Sequence, residues 1–297
     1  MSTDAWVGKI ARWIPRAFVR PAVRLALGRL HVALCLHRVS DRPVAGPQAA
    51  MTIPRHVLDE LISTLLASGS PHGVPRVTVT FDDGYQEAAH YVADRASRWP
   101  MVEWLFFVCP QKVATRAGFR WDLAPSAMQE GVSPSPELEN RDVALLGRAD
   151  APGVTLATVA SCQALARFDN VSLGNHTNGH FRHTALALED SEKELSTSKR
   201  DFEHLFGPQT HFAFPFGTPG QEFDARHVAQ LRALGNFFIW STERRPFRED
   251  ERAPGAVLPR FPINGTWSAK QLLFWIAFRA WVFRWRGTQH RFGPIPV

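Results

Sequence analysis

Short apolar runs alternate along the chain with longer amphipathic stretches, and this alternation predicts most of the architecture. Residues 32–36, 77–81, 104–108, 171–173, 212–214, 237–240 and 257–261 are brief, mostly apolar runs with the length and composition of buried strands. Between them the apolar positions recur at helical spacing: Val57, Leu58, Leu61, Ile62 and Leu65, then 85–98, 159–168, 186–206 and 224–234. Strands alternating with helices imply a parallel sheet, and seven such units favour an irregular (β/α)7-type barrel over an open sheet. A Pro-, Gly- and Ser-rich excursion at about 111–158 includes Ser133-Pro134-Ser135-Pro136 and reads as a substrate loop.

Many of the runs end in a residue with chemical potential: His37, Asp82 with Asp83, His176, Pro215 with Phe216, and Arg260. In a parallel barrel the carboxyl ends of the strands share one rim, so these residues are expected to converge there.

Two segments carry the chemistry. Residues 77–81 stop at Asp82-Asp83-Gly84, where neighbouring carboxylates point different ways. One can bind a cation while the other acts as a base, and the glycine lets the backbone turn. Taken alone, this is also an ordinary Asp-Gly turn. The second segment is Gly174-Asn175-His176-Thr177-Asn178-Gly179-His180. Histidines four apart share a face if the segment is helical, and with one aspartate they make a three-ligand set with a position left open for water. Open coordination marks a catalytic centre, not a structural one.

Taken in order, Thr80-Phe81-Asp82-Asp83-Gly84-Tyr85, His176-Thr177-Asn178-Gly179-His180 and Phe212-Ala213-Phe214-Pro215-Phe216-Gly217 resemble the first three motifs of the NodB-type polysaccharide deacetylases, carbohydrate esterase family 4-like. The resemblance spans roughly residues 31–265, which it marks as a catalytic domain, and implies a deformed barrel with a metal at its carboxyl rim. It implies a hydrolase of carbon-nitrogen bonds other than peptide bonds, which frees an amino sugar from its N-acyl group. Asp82 would be the base and Asp83, His176 and His180 the metal ligands. The backbone N–H of Phe216, where tyrosine is commoner in the family, would serve the oxyanion. The cofactor implied is one divalent metal, zinc by its ligands, with cobalt, nickel or manganese fitting the same set.

The family's late Leu-x-His motif, source of the general acid, has no counterpart here. His37 ends the first strand, as in a permuted branch of the family, and is the expected acid. No arginine lies near the third motif, so Arg260 is the expected orienter of the base. Two other readings stay open: a deformylase or amidase on another N-acyl substrate, and an inactive glycan- or membrane-binding protein on the same scaffold.

Composition changes this picture only at the ends. The formal charge is +6. Residues 1–40 hold seven Lys or Arg against Asp4 alone, and residues 252–297 hold seven against no acid, with nine aromatics. In 1–30 the cations Lys9, Arg12, Arg16, Arg20 and Arg24 line one helical face, with Trp6, Ile10, Trp13, Ile14 and Ala17 opposite. Pro15 and Pro21 are expected to bend or break that helix. The aromatic helix within 266–297 is too interrupted by Arg279 and Arg284 to cross a bilayer, which takes about 20 apolar residues. It reads as interfacial, so an anionic membrane surface is the expected partner beside the glycan, unless both ends pack on the barrel. No nucleic-acid motif accompanies the charge. Cys35, Cys109 and Cys162 read as reduced core thiols, and no signal peptide is evident, so the expected location is cytoplasmic, peripheral on the inner membrane face.

Overall fold

The computed structural model describes residues 3–42, 44, 47–68, 76–123 and 155–286. Helices α1 (Thr3–Ala11) and α2 (Arg16–Leu27) lead into strand β1 (Val32–Leu36). After it come β2 (Arg38–Ser40), β3 (Thr52–Pro54), α3 (Arg55–Ala67), β4 (Val77–Phe81), α4 (Gln86–Ala96) and β5 (Glu103–Val108). Two short helices, α5 (Pro110–Thr115) and α6 (Arg120–Leu123), precede α7 (Val159–Leu165), β6 (Val171–Asn175), α8 (Leu188–Phe206), β7 (His211–Ala213) and α9 (Ala225–Leu234). The chain continues through β8 (Phe238–Ser241), β9 (Val257–Pro259), β10 (Phe261–Pro262) and α10 (Ala269–Arg286).

All pairings in the main sheet are parallel, in the order β10-β1-β4-β5-β6-β7-β8-β9. Because β9 and β10 are consecutive in the chain, parted by Arg260 alone, the sheet returns on itself as a near-closed barrel surrounded by helices. The seven expected strands are thus all present, the last of them broken at Arg260. β2 and β3, three residues each, form a small parallel pair of their own and carry too little pattern to be read from the sequence.

Side-chain alternation divides the core into layers, since successive strand residues face opposite sides. Val32, Leu34 and Leu36 of β1, Val77, Val79 and Phe81 of β4, and Trp104, Phe106 and Val108 of β5 join the large cluster between barrel and helices. Ala33, Leu105, Phe107, Ala213, Trp240 and Leu258 form the cluster within the barrel. Thr78 and Thr80, also fully buried, occupy the intervening positions of β4. That explains the polar half of its Val-Thr-Val-Thr-Phe pattern: Thr78 bonds His31 and Glu103, and Thr80 accepts from Arg260.

The terminal helices differ from expectation. Pro15 ends the first helical stretch and caps the second, as its missing N–H demands, but Pro21 sits inside a continuous α2. Leu272, Leu273, Trp275, Ile276, Ala277, Ala280 and Phe283 of α10 are buried in the main cluster, with Val19, Val23 and Leu27 of α2. Helix α10 is therefore a core helix over most of its length, exposing Trp281 and Trp285 only near its end. Its lack of polar residues between Leu272 and Phe278 reflects burial on several sides, not an interfacial stripe. Among the described residues no helix is long and apolar enough to cross a membrane.

Candidate active site

The carboxyl rim gathers the expected residues. Asp82 follows β4 directly, its N–H bonded to the Leu36 carbonyl at 2.8 Å, which holds it level with the end of β1. His176 follows β6, its N–H bonded to Val108 O at 2.9 Å. Asp83, His176 and His180 are all buried, and one donor atom from each lies within 4.8 Å of the others. Asp83 Oδ1 stands 3.1 Å from His180 Nε2 and 3.6 Å from His176 Nε2. A tetrahedral cation with bonds of about 2.1 Å would space its ligands about 3.4 Å apart, so the separations match.

Hydrogen bonding adds a second test of fit. Neither oxygen of Asp83 has a hydrogen-bond partner although both are buried, because the approach of His180 lacks hydrogen-bond alignment. A buried carboxylate without donors is costly. A shared cation removes that cost, and the residues present fit one. Burial alone would raise the Asp83 pKa; the imidazole of His180, with His37 and His176, outweighs it and holds the carboxyl below the usual range. His176 donates from Nδ1 to the Ala213 carbonyl at 2.8 Å, which leaves the Nε2 lone pair facing Asp83. Burial lowers the pKa of His176 to about 4, so its imidazole is neutral at pH 7.

Asp82 is held differently. The guanidinium of Arg260, fully buried, grips it with two bonds, Nη1 to Oδ1 at 2.6 Å and Nη2 to Oδ2 at 3.0 Å. Burial pushes the Asp82 carboxyl up, but Arg260 and the neighbouring imidazoles of His176 and His37 hold it far below the usual carboxylate range. Asp82 Oδ2 lies 4.0 Å from His176 Nε2, at the edge of the triad. The Cys35 thiol also donates to Oδ2, at 3.4 Å. His37, half-buried between β1 and β2, is near enough for its charge to lower both carboxyls.

The loop carrying the histidines is not the helical turn their spacing suggested. Thr177 and His180 take left-handed conformations, at φ 64° and 58°, as do Asp83 at 75° and Phe216 at 60°. Such backbones are held against strain and cluster at functional sites. Here the restraint is visible. Asn175 Oδ1 accepts from Thr177 N, Thr177 Oγ1 accepts from His180 N, and Glu194 Oε1 on α8 accepts from both Asn178 N (2.8 Å) and Gly179 N (2.7 Å). Glu194 lies in the second turn of the next helix and is one of several glutamates there, so no sequence signal singled it out. Replacing it with Ala removes both acceptors, and we expect affinity for divalent cation to fall about 10- to 100-fold with the fold retained, as for other supports of metal ligands. Titration calorimetry reads this directly, and wild-type affinity would refute the role.

Phe216 is 38% exposed at the mouth. Its ring meets His180 edge-on at 4.9 Å, and the Arg182 guanidinium lies over it at 5.0 Å. Trp121 and Phe119, at 5.0 and 5.3 Å, wall the other sides of His180. These two belong to the described start of the excursion, whose residues 124–154 lie outside the described part. Tyr85 anchors the wall, accepting from Trp121 Nε1 and donating to Asp122. Burial, aided by the Asp83 charge, raises Asp122 to about 7. The aromatic cluster Phe119 to Trp121 beside a Gly- and Pro-rich stretch was the one signal that could have marked this wall.

A near-closed parallel barrel with a carboxylate and an Asp-His-His set at its carboxyl rim defines a class of hydrolase. The family described as "Polysaccharide deacetylase" matches residues 69–238, and the chain belongs to that family. Among solved structures, a polysaccharide deacetylase from Bacillus cereus shares the fold at TM-score 0.56 and 15% identity, over 82% of this chain and 67% of that one. IcaB from Ammonifex degensii does so at TM-score 0.52 and 19% identity, over 86% and 98%. A Streptococcus pyogenes deacetylase solved with acetate gives 0.56 and 13%, over 82% and 96%. No curated protein matches. The chain is thus a deacetylase of glycans, a hydrolase, with an Asp-His-His site that can hold a metal. His37 and Arg260 fall outside the matched span.

Proposed function

We propose that this chain removes an N-acyl group, acetyl first, from an amino sugar of a polysaccharide or lipid-linked glycan precursor, with residues 31–265 as the catalytic unit. The observation that carries this reading is Asp82, clamped by buried Arg260 at the edge of the Asp83, His176 and His180 set. The three would hold one divalent cation, zinc by ligand type, which supplies Lewis-acid polarisation of the scissile amide.

Asp82 takes the proton of the attacking water. Its depressed pKa keeps it ionised at neutral pH, the form in which a carboxylate can accept. Arg260 fixes its orientation. The Phe216 backbone N–H, presented by a left-handed residue at the mouth, donates to the developing oxyanion. His37 gives a proton to the departing amine. The basic, aromatic-rich ends bring the enzyme to an anionic inner membrane face.

The test is acetate release from N-acetylated oligosaccharides and lipid-linked intermediates by zinc-loaded protein. Release that depends on Asp82 supports the reading. Formate release from N-formyl sugars with no acetate release would replace it with a deformylase, and no release from any N-acyl sugar would refute it.

A further inference from the structure

Among the described residues, six of the nine large apolar side chains that stand exposed lie in the terminal layer: Trp6, Phe18, Leu25, Trp281 and Trp285 on its three helices and Trp13 in the turn between α1 and α2. Exposed aromatics concentrated in one layer have a cause to be sought, because monomers rarely display them together. We propose that α1, α2 and the end of α10 form a preassembled platform that seats this protein side-on upon a bilayer rich in anionic headgroups. The inference rests on the lipid-linked glycan reading above and names the surface that serves it.

The geometry begins with the packing of the layer. Lys270 Nζ, at the start of α10, donates to the carbonyls of Arg12 and Ile14, and Arg284 Nη1, near its end, donates to Leu25 O. Helices α2 and α10 therefore run side by side in the same direction. Since α10 follows β10 from the mouth and α2 leads into β1 from the base, the layer spans the barrel's flank from mouth to base. Trp13, 89% exposed, sits at the mouth end beside Lys270, while Leu25, Trp281 and Trp285 sit toward the base.

On α2 the buried residues Val19, Val23, Ala26 and Leu27 face the core, and Phe18, Pro21 and Leu25 make a second apolar stripe on the outward side. Arg16, Arg20 and Arg24 form a third row, exposed, between the two. A helix serving only the core would not need the second stripe. Trp281 and Trp285 stack on each other at 6.5 Å with their planes nearly parallel.

Charge selects the occupant. Neither α2 nor α10 contains an acidic residue and α1 contains Asp4 alone, while among the described residues Arg16 of the arginine row pairs with Glu60 at 4.0 Å. Beside the base end opens a cleft of about 470 Å³, lined by Arg29, Arg248, Arg284 and Phe283 with Glu249 and Asp250. Arg76 neutralises Glu249, so arginine dominates the cleft and suits a phosphodiester headgroup. Tryptophan seeks the headgroup region, and each cation near an anionic surface strengthens attachment.

The test is co-sedimentation of the full chain with vesicles of equal phosphatidylglycerol and phosphatidylcholine at low salt, against phosphatidylcholine alone. We expect partition into the anionic vesicles at least about tenfold higher, falling when salt is raised. The variant Trp13→Ser/Trp281→Ser/Trp285→Ser should lose about tenfold or more, with unchanged melting because all three side chains are exposed. Asp82→Asn should bind as wild type does, so failure of the enzymatic reading would leave lipid binding intact. Wild-type protein that stays in the supernatant overturns the proposal, as does a triple variant that binds equally well. Dimerisation abolished by the triple variant, without vesicle binding, would make this face a contact between copies and overturn it too.

Discussion

Asp82→Asn is expected to retain its full complement of divalent cation while turnover falls about 10²- to 10⁴-fold, the range that general-base catalysis contributes. The substitution keeps the shape and leaves an oxygen to accept from Arg260, so the Asp83, His176 and His180 set should not move. The ability to take a proton from water is what disappears. A second consequence follows from burial: the Arg260 guanidinium, fully enclosed, loses its counter-charge. Uncompensated buried charge costs on the order of 3–5 kcal/mol, so thermal stability should fall as well. Paired measurement of cation content, melting and acetate release separates the two effects. Undiminished turnover would refute the base assignment.

Arg260→Leu is expected to lower stability by a comparable amount. It strands the Asp82 carboxylate in the barrel beside Phe107, whose ring now lies 5.2 Å from the guanidinium, and a loss of about 3–5 kcal/mol is expected. Its pH dependence has a definite sign. The folded-state pKa of Asp82 is depressed below its unfolded value, so the pair stabilises the fold fully above about pH 4 and loses that stabilisation as pH falls toward the depressed value. Without Arg260, only the imidazoles of His176 and His37 oppose burial and the Asp82 pKa rises, so the variant should lose base function at the acid end of the activity profile first. Arg260→Lys keeps the charge but not the two-pronged grip, and intermediate activity is expected. Wild-type melting and an unshifted acid limb in Arg260→Leu would exclude the orienting role.

Strand positions were legible because burial on both faces demands apolar runs, and the rim was legible because functional side chains follow those runs directly. Arg260 could be picked out as a charged residue at the end of the last apolar run, although its interruption of the strand could not. The backbone of the histidine loop was not legible. A spacing of four fits a helical turn as well as the left-handed turns adopted here, and the choice is made by Asn175, Thr177 and Glu194 through bonds that no local pattern announces. Helix α10 was misread for a related reason: a sequence apolar on all sides looks the same whether neighbouring helices or lipid will cover it. Only the stretch around Trp281 and Trp285 keeps the exposure that the sequence suggested for the whole.

The central claim is that Asp83, His176 and His180 share one cation while Asp82 does not ligate it. Elemental analysis of purified protein after dialysis against trace zinc tests it most directly. The account predicts close to one divalent ion per chain in wild type and in Asp82→Asn, and almost none in Asp83→Ala or His176→Ala. Wild-type protein that retains no ion, or Asp83→Ala that retains a full one, would contradict it.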